Sequence, residues 1–188
     1  MMVKAYKGFH KDLTCTKGKG VFQYRENEWL EEQDANCAQN GFHCCYNPLD
    51  CMIYYCDFKE CVYYLVCADG DIHEDGINTR IACTRIKLEK KLSTEEFVAH
   101  ALFYMAEHPY LNTSGIVRNE EAHGETRNGF WIVRGKQPRC IAPIGTVVGM
   151  VQEELNSKEI ISMTVYKVDG REYQPNTVYL INGEEAIS

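Results

Sequence analysis

The most chemically crowded stretch of the sequence is NGFHCCYNPLDC, residues 40–51, which holds one histidine, three cysteines and one aspartate. Such a set could bind a metal ion, or it could supply a cysteine nucleophile and a histidine base. The two kinds of chemistry need different spacings of their residues. The spacing therefore decides which of them the sequence supports.

The cysteine spacing gives little support for a metal site. Structural zinc sites usually contain close pairs such as C-x2-C, because one tight turn must aim two thiolates at an ion about 2.3 Å away. The chain has no such pair, and the adjacent Cys44 and Cys45 would point to opposite sides of a strand. The weak candidates that only the fold could assemble are Cys15, Cys37 and Cys45, together with His43. We expect no bound metal and no cofactor, and we interpret the cysteines as reduced, buried thiols.

Catalytic motifs are also missing from the sequence. His43 and Cys44 do not form a nucleophile–base pair, because adjacent side chains on a strand diverge. The sequence contains no GxSxG motif, no Walker A loop and no HExxH motif. We therefore favour a non-enzymatic protein, and an unfamiliar active site stays open as the alternative.

The elements that must position these residues can be read from the local pattern. VKAYKGF predicts a strand, and GFHCCY predicts a short buried strand. Asn47 is suited to cap a helix that begins at Pro48. The apolar face of this helix would contain Leu49, Met52, Ile53 and Cys56, which fall at helical spacing.

Further along the chain, STEEFVAHALFYMAEH predicts the clearest helix. Ser93 and Glu96 form a capping box. The buried stripe of this helix consists of Phe97, Val98, Ala101, Leu102 and Met105. Before this helix, Asp69-Gly70 predicts a turn at the end of a strand.

These elements predict an α+β fold with a division along the chain. Residues 1–110 would form a cysteine-rich α+β unit, residues 111–128 a polar loop, and residues 129–188 an antiparallel β-rich part. The two parts could also pack as one compact domain.

Composition limits the classes of partner that the protein can bind. The formal net charge is −7, and clustered Lys and Arg are needed to neutralise phosphates, so we expect no direct binding of nucleic acid. The sequence has no apolar run long enough for a membrane span and no apolar core of a secretion signal near Met1. We expect no membrane contact and a cytoplasmic location in the host cell.

Three motifs carry a resemblance to a known group of proteins. The YKxF strand, the GFHxC segment followed by NPLD, and the C-terminal KVDG segment resemble an uncharacterised family of bacteriophage and prophage proteins. This resemblance implies a mobile-element accessory protein whose partner is a host protein or ribonucleoprotein complex. We expect it to bind and inhibit a host defence complex, for example a CRISPR nuclease such as Cas9, in the manner of an anti-CRISPR.

A more distant resemblance gives the alternative function. AYKGF and GFHCCYNPLDC are similar in order and spacing to the first two motifs of ADP-ribosyltransferase-like folds. The resemblance implies an enzyme of that type, or a degenerate NAD-binding module, with Tyr6, Lys7 and His43 as candidate binding residues. No glutamate stands in an identifiable third motif, and no catalytic residue is assigned.

Overall fold

The computed structural model describes residues 2–18, 20–112 and 115–186. The chain divides into two compact units, an N-terminal unit of residues 1–93 and a C-terminal unit of residues 94–188. About 46% of the chain is strand and about 10% is helix. A mixed fold was predicted and is confirmed, although β structure dominates it. The division lies before the second helix, and so earlier than the predicted boundary at residue 110.

Seven strands and one short helix make up the described part of the N-terminal unit. In chain order they are β1 (Val3–His10), β2 (Thr14–Gly18), β3 (Gly20–Gln23), β4 (Trp29–Glu31), β5 (Phe42–Cys45), α1 (Pro48–Cys51), β6 (Cys61–Glu74) and β7 (Arg80–Lys91).

Four of these strands close into a ring. Strand β1 pairs antiparallel with β5 on one side and with β6 on the other. Strand β7 also pairs with both β5 and β6, and β4 continues along β7 beside β5. Closure leaves no free edge within the ring. Its core is apolar, because alternate residues of each strand face it: Ala5, Phe9, Phe42, Val66, Ala68, Ile81, Ile86 and Leu88 are all buried there.

Strand β6 does not end where the sequence predicted. The expected turn at Asp69-Gly70 is wrong, because β6 continues to Glu74. The β6–β7 register shifts between Asp69 and Ile72, so these residues form a bulge. Gly70 is required there, since its φ is 79° and a Cβ would lie 2.1 Å from Thr84 Oγ1.

Helix α1 begins as predicted and ends sooner. The Asn47 side chain accepts a hydrogen bond from the Leu49 N–H, and Pro48 occupies the first turn, which confirms the predicted start. The helix stops at Cys51 after one turn. Ile53 is consequently 60% exposed and Cys56 is exposed, so their predicted place on a buried helical face is wrong.

The described part of the C-terminal unit contains one longer helix and a four-stranded sheet. Its elements are α2 (Thr94–Glu107), β8 (Val117–His123), β9 (Phe130–Ile141), β10 (Val147–Glu153) and β11 (Ile160–Lys167). The buried residues of α2 are the five that the sequence predicted. The helix packs closely on β10, where a Cβ on Gly149 would lie 2.5 Å from a Val98 methyl.

The sheet corrects two sequence expectations. Strands β10 and β11 are antiparallel, whereas β9 runs parallel to both β8 and β10. Paired residues on neighbouring parallel strands stand 15 to 18 positions apart in the sequence, so each strand follows the previous one after a short connection. Such short connections are more usual between antiparallel strands, which is why the sequence pattern predicts an antiparallel arrangement. Residues 111–128 were expected to be a loop, yet they contain β8, an edge strand whose exposed positions tolerate polar residues. In the described part of the chain, no helix could span a membrane.

Candidate functional site

A cavity of about 510 Å³ lies within the N-terminal unit. Its walls come from β1, β5, the β2–β3 hairpin, α1 and residues 38–41 just before β5. The pairing of Tyr6 with Cys45 brings the centre of β1 beside β5, which places the three candidate binding residues Tyr6, Lys7 and His43 around one cavity. Their role in binding stays a prediction.

Lys7 is the most unusual residue of the wall. Its side chain is only 7% exposed, although lysine is rarely buried without a partner. The ammonium nitrogen lies 2.5 Å from the backbone carbonyl oxygen of His43, to which it donates, and 4.9 Å and 5.4 Å from the ring centres of Tyr24 and Phe9. These are a carbonyl hydrogen bond and two cation–π contacts. Within the described residues, Lys7 forms no ion pair with a carboxylate.

The ammonium keeps its charge at neutral pH. The net pKa shift of Lys7 is upward: burial lowers the pKa, and coulombic interactions with Tyr24, Cys15, Cys44 and Tyr55 raise it. At pH 7, where the Tyr24 and Cys44 side chains are neutral, the His43 carbonyl and the two rings stabilise the ammonium. Burial raises the pKa of Tyr24 to about 12, against the pull of the Lys7 charge. The Tyr24 phenol is therefore neutral near pH 7. At that pH, Lys7 is a positive charge surrounded by dipoles and rings.

His43 hydrogen-bonds to residues 38–41, which form one part of the cavity wall, here called the rim. Its Nε2 accepts a hydrogen bond from the Ala38 N–H at 2.9 Å, and its ring also hydrogen-bonds to the Gly41 backbone. Burial first, and then the positive charges of Lys7 and Arg80, lower the pKa of His43. The imidazole is therefore neutral at pH 7 and engaged with residues 38–41, whose backbone it positions.

Arg80 supplies a second positive group. It forms an ion pair with Asp75 and donates from Nη1 to the Tyr54 hydroxyl at 2.8 Å. Its side chain is 14% exposed, and its buried Nε meets no hydrogen-bond acceptor in the part of the chain that the structure describes. The Arg80 charge is thus largely neutralised by Asp75.

Two of the thiols around the cavity, Cys44 and Cys51, are poor nucleophiles and poor metal ligands. The cysteines in its wall are Cys15, Cys44, Cys45 and Cys51. A hydrogen bond with Cys83, and then burial, raises the pKa of the Cys44 thiol, while burial and a hydrogen bond with Cys45 raise that of Cys51. The thiolate is the reactive and metal-binding form, so both thiols stay unreactive near pH 7.

Cys15, Cys45 and His43 line the same cavity, but the weak metal candidates do not form a metal-binding group in the described residues. Cys15 lies on β2, Cys37 precedes β5, and Cys45 lies on β5. Among residues 2–18, 20–112 and 115–186, no group of three or more His, Cys, Asp or Glu side chains could hold a metal ion. All ten cysteines are free thiols.

Two contributors to the site were missed in the sequence, Tyr24 and Arg80. Arg80 lies far along the chain from the AYKGF and GFHCC motifs and comes near them where β7 pairs with β5. Tyr24 directly follows the β2–β3 hairpin, which forms another part of the cavity wall. The sequence does contain an indication of the position of Arg80, since this charged residue immediately precedes the apolar positions of β7 and so lies at the start of a buried strand.

Comparison with known proteins gives a family and no activity. Residues 3–100 match a family model described as "Domain of unknown function (DUF7666)", which is more than half of the chain. The chain belongs to this family. No curated protein and no solved structure matches it. Every residue of the cavity wall lies inside the matched range, so the cavity is a feature of the DUF7666 domain of this chain.

Proposed function

We propose that the DUF7666 domain is a binding module that takes a small anionic ligand in the 510 Å³ cavity, with Lys7 as the anion contact. The observation that carries this proposal is the buried Lys7 ammonium, which faces the cavity without a carboxylate partner among the described residues. Removing an ammonium ion from water costs several kcal/mol even after relaxation, and a bound anion would offset that cost.

The rest of the wall suits such a ligand. Its volume falls within the range of about 300–1,000 Å³ that is typical of small-molecule sites. Arg80 adds a second positive group to the wall, and the neutral His43 hydrogen-bonds to the backbone of Ala38. The protonated Cys44 and Cys51 thiols, and an imidazole already hydrogen-bonded to the backbone, favour binding over covalent catalysis.

NAD is one specific form of this proposal. The cavity lies between the AYKGF and GFHCC strands, where the resemblance to ADP-ribosyltransferase-like folds puts a dinucleotide. A degenerate NAD-binding module would need Lys7 as the anion contact and the rim of residues 38–41. It would not need a catalytic glutamate.

Amide chemical shifts of the full chain would test the proposal. Titration with sodium phosphate and separately with NAD should shift amides of β1, β5 and residues 38–41. The shifts should disappear in Lys7→Met, which keeps the length and apolar stem of the side chain while removing the charge. Lys59→Met is the matched control, since Lys59 is exposed and outside the cavity wall. The proposal fails if neither probe shifts these amides, or if Lys7→Met responds as the wild type does.

Inhibition of a host defence complex is a second proposal, motivated by the net charge of −7. An acidic protein can compete for a basic groove on a nucleic-acid enzyme, because such a groove attracts anions. Purified protein should then inhibit target-DNA cleavage by a type II CRISPR effector stoichiometrically. Unchanged cleavage at a tenfold excess across a panel of such effectors would count against this function. Inhibition that survives Lys7→Met would assign it to a surface other than the cavity.

A further inference from the structure

We infer that the ligand of the cavity carries a flat aromatic ring beside its anionic group. This inference rests on the proposed binding function and narrows its ligand class. The observation behind it is a cluster of three aromatic side chains that lines the cavity next to Lys7, here called the aromatic triad: Phe22, Tyr24 and Phe42.

The triad is preorganised. Its ring centres are 4.8 Å apart for Phe22–Tyr24, 5.5 Å for Phe22–Phe42 and 5.7 Å for Tyr24–Phe42. The rings meet at angles of 65° to 69°, which is the favourable edge-to-face arrangement. Each ring is therefore fixed by the other two, and little side-chain freedom would be lost when a ligand binds.

Phe22 is the member of the triad that remains available. Tyr24 and Phe42 are buried, whereas Phe22 is 38% exposed although it lines the cavity. The contacts with Tyr24 and Phe42 cover part of the Phe22 ring and leave the rest of it exposed. A flat ring of the ligand could stack on its uncovered face.

The anion contact and the available ring are close together. The Lys7 nitrogen lies 4.9 Å from the Tyr24 ring centre, and the Phe22 ring centre lies 4.8 Å from the same point. The Lys7 nitrogen and the Phe22 ring are therefore less than 10 Å apart. One small molecule can reach both when a single linker joins its anionic group to its ring. A nucleoside monophosphate and an aromatic carboxylate share this chemistry.

Two matched pairs of probes test the inference by calorimetry on the full chain. Adenosine monophosphate is compared with ribose 5-phosphate, and benzoate with cyclohexanecarboxylate, so that within each pair the anionic group is kept and the flat ring is lost. We expect the flat member of at least one pair to bind about tenfold more tightly, since stacking of a base on an aromatic side chain has roughly that effect. The pair that shows the preference distinguishes phosphate from carboxylate as the anionic group.

Two variants separate the inference from the proposed function. In Phe22→Leu, the preference for the flat member should fall below threefold while the non-aromatic member binds as before. In Lys7→Met, both members should lose binding. Equal affinity within both pairs, or a preference unchanged in Phe22→Leu, overturns the aromatic ligand class and leaves the anion site standing. Failure of all four probes to bind overturns both.

Discussion

Acidification should destabilise the N-terminal unit through His43, and substitution of this one residue should remove much of the effect. The Nε2 of His43 can accept the Ala38 N–H only while it carries no proton. The groups that act on the ring are Lys7 and Arg80, which disfavour its protonation, and Asp75 with the Gly41 backbone, which favour it. Burial and the two cations prevail, and the pKa of His43 is lowered.

The sign and the size of the effect follow from proton linkage. An unfolded chain binds a proton at His43 below its ordinary pKa of 6.5, while the folded chain binds it only at a lower pH. The free energy of unfolding should therefore be highest above about pH 6.5 and should decrease as the pH falls from there towards the folded pKa. One such group contributes a slope of at most about 1.4 kcal/mol per pH unit.

Urea unfolding between pH 7.5 and 5.0 would measure this slope. The chain has two tryptophans, so Trp131→Phe leaves Trp29 as a fluorescence reporter of the N-terminal unit. His43→Gln, made in that background, replaces the ring nitrogen by an amide oxygen that can accept the Ala38 N–H and does not titrate.

The difference between the two pH profiles isolates His43 from all other titrating groups. The His43→Gln profile should be flatter below pH 6.5. His108→Gln is the control, because His108 lies in the C-terminal unit and should leave the slope reported by Trp29 unchanged. Parallel profiles for wild type and His43→Gln from pH 7.5 to 5.0 would refute the reasoning.

Three further predictions concern packing, capping and a buried ion pair. Gly149→Ala should destabilise the C-terminal unit by about 1–3 kcal/mol in urea unfolding, because the new Cβ would lie 2.5 Å from a Val98 methyl. Val98→Ala should relieve part of that loss, and strictly additive effects would contradict the clash. Asn47→Ala should lower the free energy of unfolding by about 0.5–2 kcal/mol, because it removes the cap of α1. Asn47→Ser should restore most of this loss, and an unchanged urea midpoint in Asn47→Ala would contradict the cap. Glu153→Gln should lower the free energy of unfolding by about 3–5 kcal/mol, because the Arg134 side chain is only 6% exposed and its Nε lies 2.7 Å from the Glu153 carboxylate. A loss below about 1 kcal/mol would contradict this prediction.

Local pattern was enough for the elements whose contacts are close in sequence. The buried stripe of α2 follows from a period of 3.6 residues, because any helix with that pattern must bury that face. The start of α1 follows from Asn47 and Pro48, since a cap and a first-turn proline act within a few residues. The sequence also selected Tyr6, Lys7 and His43 as candidates, and the fold places them around one cavity.

Long-range pairing decided the rest. A strand pattern states which face is buried but not which strand lies beside it, so neither the closed ring nor the parallel pairing of β9 could be derived. An Asp-Gly pair suits a turn and a bulge equally well, and only the tight contact of Gly70 with Thr84 determined that β6 continues. Sequence alone determined the residues that can carry charge. Tertiary structure alone decided that Lys7 is buried against Tyr24 beside a cavity. A side chain is buried by its spatial neighbours, and the neighbours of Lys7 come from distant parts of the chain.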